Sequence, residues 1–281
     1  MNVEHSATSP RRAPRLGFLL PVLCGGVCFA FGLRLYGLAV PAVVLLALVA
    51  AWLGCIGVGV AFMGSGIFAR PILSGAALRG QDRLALTFDD GPHPVHTRRV
   101  LDLLDAHHHR ATFFVIGERA AAAPELLAEI VQRGHGLGNH SLRHARTTTF
   151  QPVDRLTDEL LRTNAILQRA SGARPRWFRP PAGLLSPRVA AAAAKAGLDL
   201  VGWSATARDG TTRATVEGSL SRLLRGLRPG AILVLHDAAE RDDREPIAPA
   251  VLARLLSEMK ARSLRSVTLD ELLLGATARG T

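Results

Sequence analysis

Two adjacent aspartates, Asp89 and Asp90, follow an apolar, β-prone run at residues 84–88 and precede a Gly-Pro pair. This order predicts a strand that ends in a turn, with both carboxylates at the carboxyl end of the strand. Sheets and barrels of the α/β class keep their chemistry at that edge. Because neighbouring carboxylates repel each other, a cation is expected beside them, either a bound metal or an arginine. A solvated turn is the alternative interpretation of the pair alone.

Two histidines, His140 and His144, stand four residues apart after a later strand-like run. On a helical turn, side chains at this spacing share one face and can bind one metal ion. The spacing alone is a weak indication, since two surface histidines would also show it. With a carboxylate from a neighbouring strand end, it predicts a site of two histidines and one carboxylate with positions open for water and substrate. Zinc or another divalent metal would fit, and it would acidify bound water and polarise a carbonyl.

Other polar residues fall at the ends of later predicted strands, so they are expected at the same edge as the aspartates. Arg179 could keep one aspartate ionised as a general base by lowering its pKa. His236 could protonate a leaving amine from the opposite side, and a carboxylate such as Asp209 would orient it. Trp203 lies at the end of the fifth strand. The competing interpretations are a phosphate or carboxylate clamp for Arg179 and a buried core position for His236.

Apolar, strand-like runs alternate with amphipathic stretches from about residue 81 onward. Strands are predicted at residues 84–88, 111–116, 136–139, 177–179, 198–204, 231–235 and 264–268. Helices are predicted at residues 95–106, 124–132, 153–169, 186–196, 212–227 and 246–261. Ser186 is a predicted N-cap, and the three histidines at 107–109 a predicted solvated helix end. Seven strands alternating with helices predict an α/β fold with a (β/α)7-type barrel.

The composition narrows the choice of partners. The chain has 281 residues and a formal net charge of +11, with its basic residues dispersed rather than clustered. Because no nucleic-acid motif and no interleaving of basic and aromatic residues occurs, no nucleic acid partner is predicted. Cys24, Cys28 and Cys55 all lie in the apolar N-terminal part. The remainder therefore has no cysteine for a disulfide or a cysteine–zinc site.

Residues 16–69 are interpreted as a membrane segment, because Arg34 is their only charged residue. The stretch is far longer than one helical crossing of a hydrocarbon core of roughly 30 Å. Arg34 divides it into residues 16–33 and 35–63, which predicts a transmembrane hairpin of two helices joined by a tight turn. A single span with a long interfacial remainder is the alternative. The lipid bilayer is thus a predicted partner.

Arginines flank the membrane segment on both outer sides, and only Arg34 lies within it. Two crossings put both ends of the chain on one side of the bilayer, and the positive-inside bias makes that side the cytoplasm. Residues 1–15 would then be a basic tail and residues 70–281 a catalytic domain facing the cytoplasm, with a bacterial inner membrane as the expected location. The competing topology has one crossing and the domain outside.

Five motifs in order along the chain carry a resemblance to a known family. They are Thr87-Phe88-Asp89-Asp90-Gly91-Pro92, His140-Ser141-Leu142-Arg143-His144, Arg179-Pro180-Pro181-Ala182-Gly183, the stretch 203–209, and Leu235-His236-Asp237. With these motifs, residues 84–274 resemble the polysaccharide deacetylases of the NodB-homology type, carbohydrate esterase family 4. The resemblance implies a distorted (β/α)-barrel and metal-dependent removal of N- or O-acyl groups from sugars.

The resemblance also implies a role for each matching residue. Asp89 would be the base and be held by Arg179, while His236 would be the acid and be supported by Asp209. One divalent metal ion, with zinc as the first choice, would be bound by Asp90, His140 and His144. The substrate and oxyanion side would comprise the backbone N–H of Ala182, Pro180 and Trp203.

Two positions depart from the pattern of that family. The third motif has Ala182 where an aromatic residue is frequent, and the fourth continues Asp209-Gly210 where Asp-Trp is frequent. Both losses of bulk indicate a wider or differently shaped pocket. We expect a membrane-anchored hydrolase that removes an acetyl or formyl group from an amino sugar of a polysaccharide or lipid-linked saccharide. The alternatives are an O-acyl esterase of the same fold and an inactive, membrane-tethered glycan-binding module.

Overall fold

The computed structural model describes residues 19–38, 40–75, 82–238 and 245–275. Within these residues the α-helices are α1 (Leu19–Leu35), α2 (Ala42–Ala61), α3 (His96–Ala106), α4 (Gly117–Ala122), α5 (Pro124–Gln132), α6 (Val153–Ser171), α7 (Pro187–Lys195), α8 (Val216–Gly226), α9 (Ala248–Ala261) and α10 (Leu269–Leu274). The β-strands are β1 (Arg83–Asp89), β2 (Ala111–Val115), β3 (Gly136–Asn139), β4 (Trp177–Phe178), β5 (Asp199–Leu200), β6 (Ala205–Thr206), β7 (Ile232–His236) and β8 (Arg265–Ser266). Short 3-10 helices lie at Met63–Ser65, Arg146–Phe150 and Pro181–Gly183.

The strands form one parallel sheet in the order β5-β4-β3-β2-β1-β7-β6, and β8 pairs with the beginning of β1. β1 lies inside the sheet between β2 and β7, and six of its seven residues are buried. Its register aligns Asp89 with Phe114 of β2 and with His236 of β7. Because the pairs are parallel, the carboxyl ends of the strands meet at one edge, which we call the rim. This curled half-barrel sheet confirms the α/β class and is consistent with a (β/α)7 barrel.

The predicted fifth strand, residues 198–204, is wrong as a single element. The structure divides it into β5 at one edge of the sheet and the approach to β6, which pairs with β7 at the other edge. Between the two, the N–H of Ile72 donates to the Leu200 carbonyl, and the N–H of Gly202 donates to the Ile72 carbonyl, both at 2.8 Å. The apolar run therefore crosses the opening of the sheet, and residues 72–75, outside every predicted strand, bridge that opening.

The helices cover the sheet with the apolar stripes that the sequence periodicity predicts. In α3, Val100, Leu101 and Leu104 are fully buried in the main core. Burial of one such side chain stabilises the fold by about 1.5–3 kcal/mol. Ser186 caps α7 as predicted, because its side chain accepts from the N–H of Val189 at 3.3 Å. One cap of this kind contributes about 1 kcal/mol.

Short elements and one histidine differ from the prediction. The helices α4 and α10 are six residues each, too short to show a hydrophobic period. The solvated helix end predicted at residues 107–109 is wrong for His109, which is 9% exposed. Its Nδ1 accepts from the N–H of Ser266 at 3.1 Å, because β8 lies beside this helix end.

The N-terminal helices α1 and α2 pack against each other and remain mostly exposed. α2 has 20 residues without a charged side chain, about 30 Å of helix and therefore long enough to cross a bilayer. α1 has 17 residues and ends beside Arg34, whose Nη1 donates to the Val40 carbonyl at 3.2 Å in the turn. Among the described helices only α2 has the length and composition of a membrane span, so the second crossing stays a prediction.

Candidate active site

The adjacent carboxylates Asp89 and Asp90 enter different environments at the rim. Both residues are 4% exposed. Asp89 is the last residue of β1, whereas Asp90 has a φ of 73°, a left-handed conformation uncommon outside glycine. At the next position, Gly91, a Cβ would collide with the carboxylate of Asp237. The chain therefore turns sharply at Asp90, and the two side chains acquire separate partners.

Asp90, His140 and His144 converge at the rim as predicted. Asp90 Oδ1 lies 3.3 Å from His140 Nε2 and 3.2 Å from His144 Nε2. One ligand atom from each residue lies within 4.8 Å of those of the other two. The two histidines lie in a loop after β3 rather than on the helical turn that their spacing indicates. Left-handed backbone at Ser141 (φ 67°) and His144 (φ 55°) folds the loop back and brings the rings together.

These three residues fit a divalent metal ion by their chemistry and by their surroundings. Asp90 Oδ1 is buried, and no hydrogen bond reaches it from the described part of the chain. His140 Nδ1 lies 2.7 Å from the Arg179 carbonyl oxygen. Since a carbonyl can only accept, Nδ1 carries the proton, and Nε2 presents its lone pair towards Asp90. Burial raises the pKa of Asp90, but contact with His140 and the charge of the nearby His236 imidazolium lower it by more, so the net pKa lies below its ordinary value and the carboxylate is ionised at neutral pH.

Asp89 has its counter-ion within the protein. Arg179 is fully buried, and its Nη1 donates to Asp89 Oδ1 at 2.6 Å and to Thr87 Oγ1 at 2.9 Å. Its Nη2 donates to the Gly202 carbonyl at 2.9 Å, and its guanidinium carbon lies 4.1 Å from the centre of the Phe114 ring. Burial lowers the pKa of Arg179 while Asp89 opposes that shift, and a guanidinium remains charged throughout the physiological range. Because these donors are engaged within the protein, the clamp interpretation does not fit.

His236 and Asp209 form the second charged pair of the site. His236 Nδ1 lies 2.7 Å from Asp209 Oδ1, and the backbone N–H of His236 donates to Asp209 Oδ2 at 3.0 Å. Burial lowers the pKa of His236, but Asp209 and then the other two carboxylates raise it, to a net value of about 10. The His236 side chain keeps 23% exposure while that of Asp209 has 1%. The imidazolium therefore faces the cleft, which rules out the buried core position.

Comparisons with known proteins match this chain to one family. Residues 78–201 match the family model described as polysaccharide deacetylase. A chitooligosaccharide deacetylase from Bradyrhizobium sp. is 42% identical over 158 residues, which cover 56% of this chain and 72% of the relative. A peptidoglycan-N-acetylglucosamine deacetylase from Bacillus cereus is 35% identical over 192 residues, covering 68% of this chain and 87% of the relative. This chain belongs to the polysaccharide deacetylase family.

A solved structure extends the likeness to the fold. A family 4 acetyl xylan esterase from Clostridium thermocellum, in complex with a cobalt ion, matches with a TM-score of 0.62 and 34% identity. The match covers 68% of this chain and 89% of the esterase. The predicted family is thus confirmed, and the chain is a hydrolase of the deacetylase type, acting on carbon–nitrogen bonds other than peptide bonds.

Pro180 and Ala182, which the resemblance assigns to the substrate side, lie in the turn that follows β4. Ala182 is exposed there with a φ of 53°, and the N–H of Gly183 donates to the buried Pro180 carbonyl at 3.0 Å. A Cβ at Gly183 would collide with the Trp203 ring, so the turn and the indole are in close contact. A Cβ at Gly210 would lie 3.6 Å from the His236 ring. The absence of a side chain at Gly210 therefore leaves space directly beside the imidazole of His236.

Two buried polar residues of the site have no role in the sequence prediction. Asn139 accepts from the N–H of Ser141 at 2.8 Å through Oδ1, which holds the loop that carries both histidines. Asp237 accepts from the hydroxyl of Thr97, and burial raises the pKa of Asp237 to about 7. Each residue is next to a predicted site histidine in the sequence. The sequence signal that could have identified both residues is a polar side chain at the end of an apolar strand.

Proposed function

We propose that this chain is a membrane-anchored, metal-dependent deacetylase that hydrolyses the N-acetyl or N-formyl group of an amino sugar in a glycan or lipid-linked saccharide. The observation that carries the proposal is the contrast between Asp89 and Asp90. One carboxylate has an arginine as its counter-ion, and the other faces two imidazole nitrogens in an arrangement that a divalent cation would complete. A fixed base thus stands beside a metal ligand.

Asp90, His140 and His144 would hold the metal ion. When bound, the ion would acidify a water molecule and polarise the acyl carbonyl of the substrate. Two neutral imidazoles and one carboxylate suit zinc, with open positions for water and substrate. The Clostridium thermocellum esterase is in complex with a cobalt ion, which supports a metal ion as the cofactor here without deciding its identity.

Asp89 would act as the general base and take a proton from the attacking water. Its Oδ1 is held at 2.6 Å by Arg179, which fixes the orientation of the carboxylate without adding a mobile counter-ion. Arg179 is therefore a positioning residue, because it acts through Asp89. General base catalysis of this kind contributes about 10²–10⁴ in rate.

His236 would protonate the sugar nitrogen as the carbon–nitrogen bond breaks. With Asp209 accepting from Nδ1–H, the proton on Nε2 is directed into the cleft. The oxygen of water goes to the acyl carbon, one proton goes to Asp89, and the nitrogen receives its proton from His236. The products are a carboxylic acid and an amino sugar.

Ala182, Pro180 and Trp203 would form the substrate side. The backbone N–H of Ala182 would donate to the carbonyl oxygen as negative charge develops on it. Support comes from the exposed, left-handed position of Ala182 at the rim and from the contact of its turn with Trp203. Pro180 would keep the turn rigid through its fixed φ.

The anchor would be α2, with α1 as a second crossing that returns the chain to its starting side. Both flanks of this hairpin are basic, which favours a catalytic domain on the cytoplasmic face of a bacterial inner membrane. A lipid-linked sugar would be reachable there before export. Alkaline phosphatase fused after Thr281 should be inactive and a cytoplasmic reporter active; the opposite result would place the domain outside.

O-acyl hydrolysis is the second candidate activity, and the acetyl xylan esterase name of the solved relative favours it. The strongly held His236–Asp209 pair argues for amides, because an amine is a poorer leaving group than an alcohol and needs protonation more. An inactive glycan-binding module would not need a base, an acid and three ligand positions together.

The decisive experiment measures acyl release by the purified full-length protein loaded with Zn²⁺. The substrates are N-acetyl chitooligosaccharide, an N-formyl amino sugar, a lipid-linked N-acetyl sugar and O-acetyl xylan. We expect release from at least one amide substrate, abolished by a chelator and restored by the metal. Release from the ester alone would favour the esterase, and no release from any substrate would support the binding module.

A further inference from the structure

Two exposed phenylalanines near the rim have no role in the proposed chemistry. Phe62 is 64% exposed and Phe150 is 71% exposed. Phe, with Trp and Leu, forms the apolar face of protein segments that lie in the lipid–water interface. The position of both residues relative to α2 therefore decides whether they face water or lipid.

α2 joins the catalytic domain directly. The carbonyl of Val60, in the last turn of α2, accepts from the N–H of Leu185 at 3.0 Å. The following residues Met63 and Ile67 are 5% and 4% exposed, and Met63 belongs to the same apolar cluster as Leu185. Burial on this scale fixes the direction in which the helix leaves the domain.

The segment after α2 is also part of the sheet. Beyond the hydrogen bonds of Ile72 described above, the N–H of Gly75 donates to the Gly230 carbonyl at 2.8 Å, just before β7. A Cβ at Gly202 would collide with Leu73, which shows how closely this segment packs. A helix tied in at both its end and its continuation cannot swing freely against the domain.

The contact between the end of α2 and the domain, through Val60 and Leu185, lies at the rim rather than at the opposite end of the strands. Leu185 follows Ala182 by three residues, in the loop between β4 and α7. The loop that receives the end of α2 is therefore the loop that carries the proposed oxyanion donor. Because α2 leaves from this loop, the rim is the end of the sheet closest to the membrane span.

Phe150 is connected to the same loop. The hydroxyl of Ser186 donates to the Thr149 carbonyl at 2.9 Å, and Arg188 Nη1 donates to the Phe150 carbonyl at 2.7 Å. Phe62 lies two residues beyond the Val60 contact. The segments of both aromatic residues thus contact residues 185–188, and Arg188 in that stretch is exposed.

We propose that Phe62, Phe150 and Arg188, together called the rim patch, contact the lipid bilayer and seat the catalytic cleft at its headgroup region. The aromatic rings would enter the interface, and the guanidinium would face anionic lipid. The substrates favoured by this placement are acylated sugars held close to a membrane, on whichever side the domain lies. This inference rests on the membrane anchor of the proposed function.

Site-specific fluorescence in vesicles tests the contact. In full-length protein with its three cysteines replaced by alanine, Phe150→Cys carries an environment-sensitive NBD label, and Leu161→Cys on α6, at a side chain that is 41% exposed, is the matched control. In vesicles of phosphatidylcholine and phosphatidylglycerol, we expect headgroup-level doxyl lipid to quench the label at 150 and not at 161. No quenching of the label at 150, or equal quenching at both positions, would overturn the proposal. Absence of quenching at 150 would leave a protein as the partner of the rim patch.

A second measurement separates this inference from the anchor and from the chemistry. Carbonate extraction of membranes reports whether the full chain is anchored, and acyl release from free chitooligosaccharide reports whether it is active. For the rim patch, the readout is the ratio of acyl release from the same oligosaccharide tethered to a vesicle lipid to release from the free form. We expect Phe150→Asp to lower this ratio severalfold and Phe150→Trp and Leu161→Asp to preserve it. An unchanged ratio in Phe150→Asp would contradict the proposal.

Discussion

The two halves of the site solve the same electrostatic problem in different ways. In one half, Asp89 is buried against Arg179 at 2.6 Å, and Asp209 is buried against His236 at 2.7 Å. In the other half, Asp90 is equally buried, yet it faces only imidazole nitrogens at 3.2 and 3.3 Å among the described residues. A buried carboxylate that no positively charged group contacts directly is costly. In the first half each carboxylate is paired with a charged side chain of the protein, whereas in the second half a bound cation would compensate the charge of Asp90.

The difference follows from one backbone angle. An extended strand would send neighbouring side chains to opposite faces of the sheet. The left-handed turn at Asp90 (φ 73°) instead keeps both carboxylates at the rim while separating their partners. The adjacent aspartates can then do different work: one is fixed by an arginine that cannot leave, and the other is left for an exchangeable metal ion.

Removing a ligand from the incomplete half should have the largest effect. We expect His140→Ala to lose bound zinc and acyl release together, because two of the three donors cannot hold the ion alone. Metal content by mass spectrometry and acetate release measure the two effects. His135→Ala, a buried histidine away from the ligand cluster, is the control. Normal metal content in His140→Ala would remove the site assignment.

Removing the base from the complete half should affect rate and spare metal. Asp89→Asn keeps the shape of the side chain but cannot accept the proton of water, so we expect a loss of about 10²–10⁴ in kcat with unchanged zinc content. The comparison with His140→Ala separates a base from a ligand. Near-normal turnover in Asp89→Asn would reject the mechanism, and lost zinc would assign Asp89 to the metal.

Breaking the ion pair itself should appear in stability. Arg179→Gln leaves Asp89 buried without its counter-ion, and removal of one partner from a buried pair costs about 3–5 kcal/mol. The free energy of unfolding from urea titration measures this. Asp89→Asn removes the other charge of the pair. The double variant Asp89→Asn/Arg179→Gln should therefore lose less free energy of unfolding than the sum of the losses in the two single variants. Additive losses would show that the pair is not coupled.

The sequence predicted the residues of the site better than the loops and chain connections that bring them together. Motifs at or just after strand ends located both charged pairs and the cluster of Asp90, His140 and His144, because parallel strands bring their carboxyl ends to one rim whatever lies between them. The histidine spacing correctly paired His140 with His144, although the pairing depends on two left-handed loop residues and not on a helix. Periodicity carries no information on such loop angles.

The bridge across the sheet was beyond the reach of the sequence pattern. Residues 198–204 read as one apolar strand, yet they run from one edge of the sheet to the other. The partner that divides them, Ile72, lies in a segment assigned to neither strand nor helix. Its pairing is decided by tertiary closure, which local propensity does not record.

The smallest expected effect tests whether Asp209 tunes His236 rather than merely holding it. The neighbouring carboxylate raises the pKa of His236 to about 10, above the unfolded value of about 6.5. A raised pKa means that this pair stabilises the fold fully below about pH 6.5 and that the stabilisation is lost as the pH rises through about 10.

Asp209→Asn should lower the pKa of His236, so the imidazolium that donates the proton is lost at a lower pH. We expect the alkaline limb of the kcat/KM profile to move towards neutral pH, with little change at the acidic end where His236 stays protonated. The pH profile is decisive because a purely structural role would lower kcat/KM uniformly. If the limb keeps its position in Asp209→Asn while activity falls at every pH, Asp209 only supports the loop, and the second charged pair has no part in setting the proton donor.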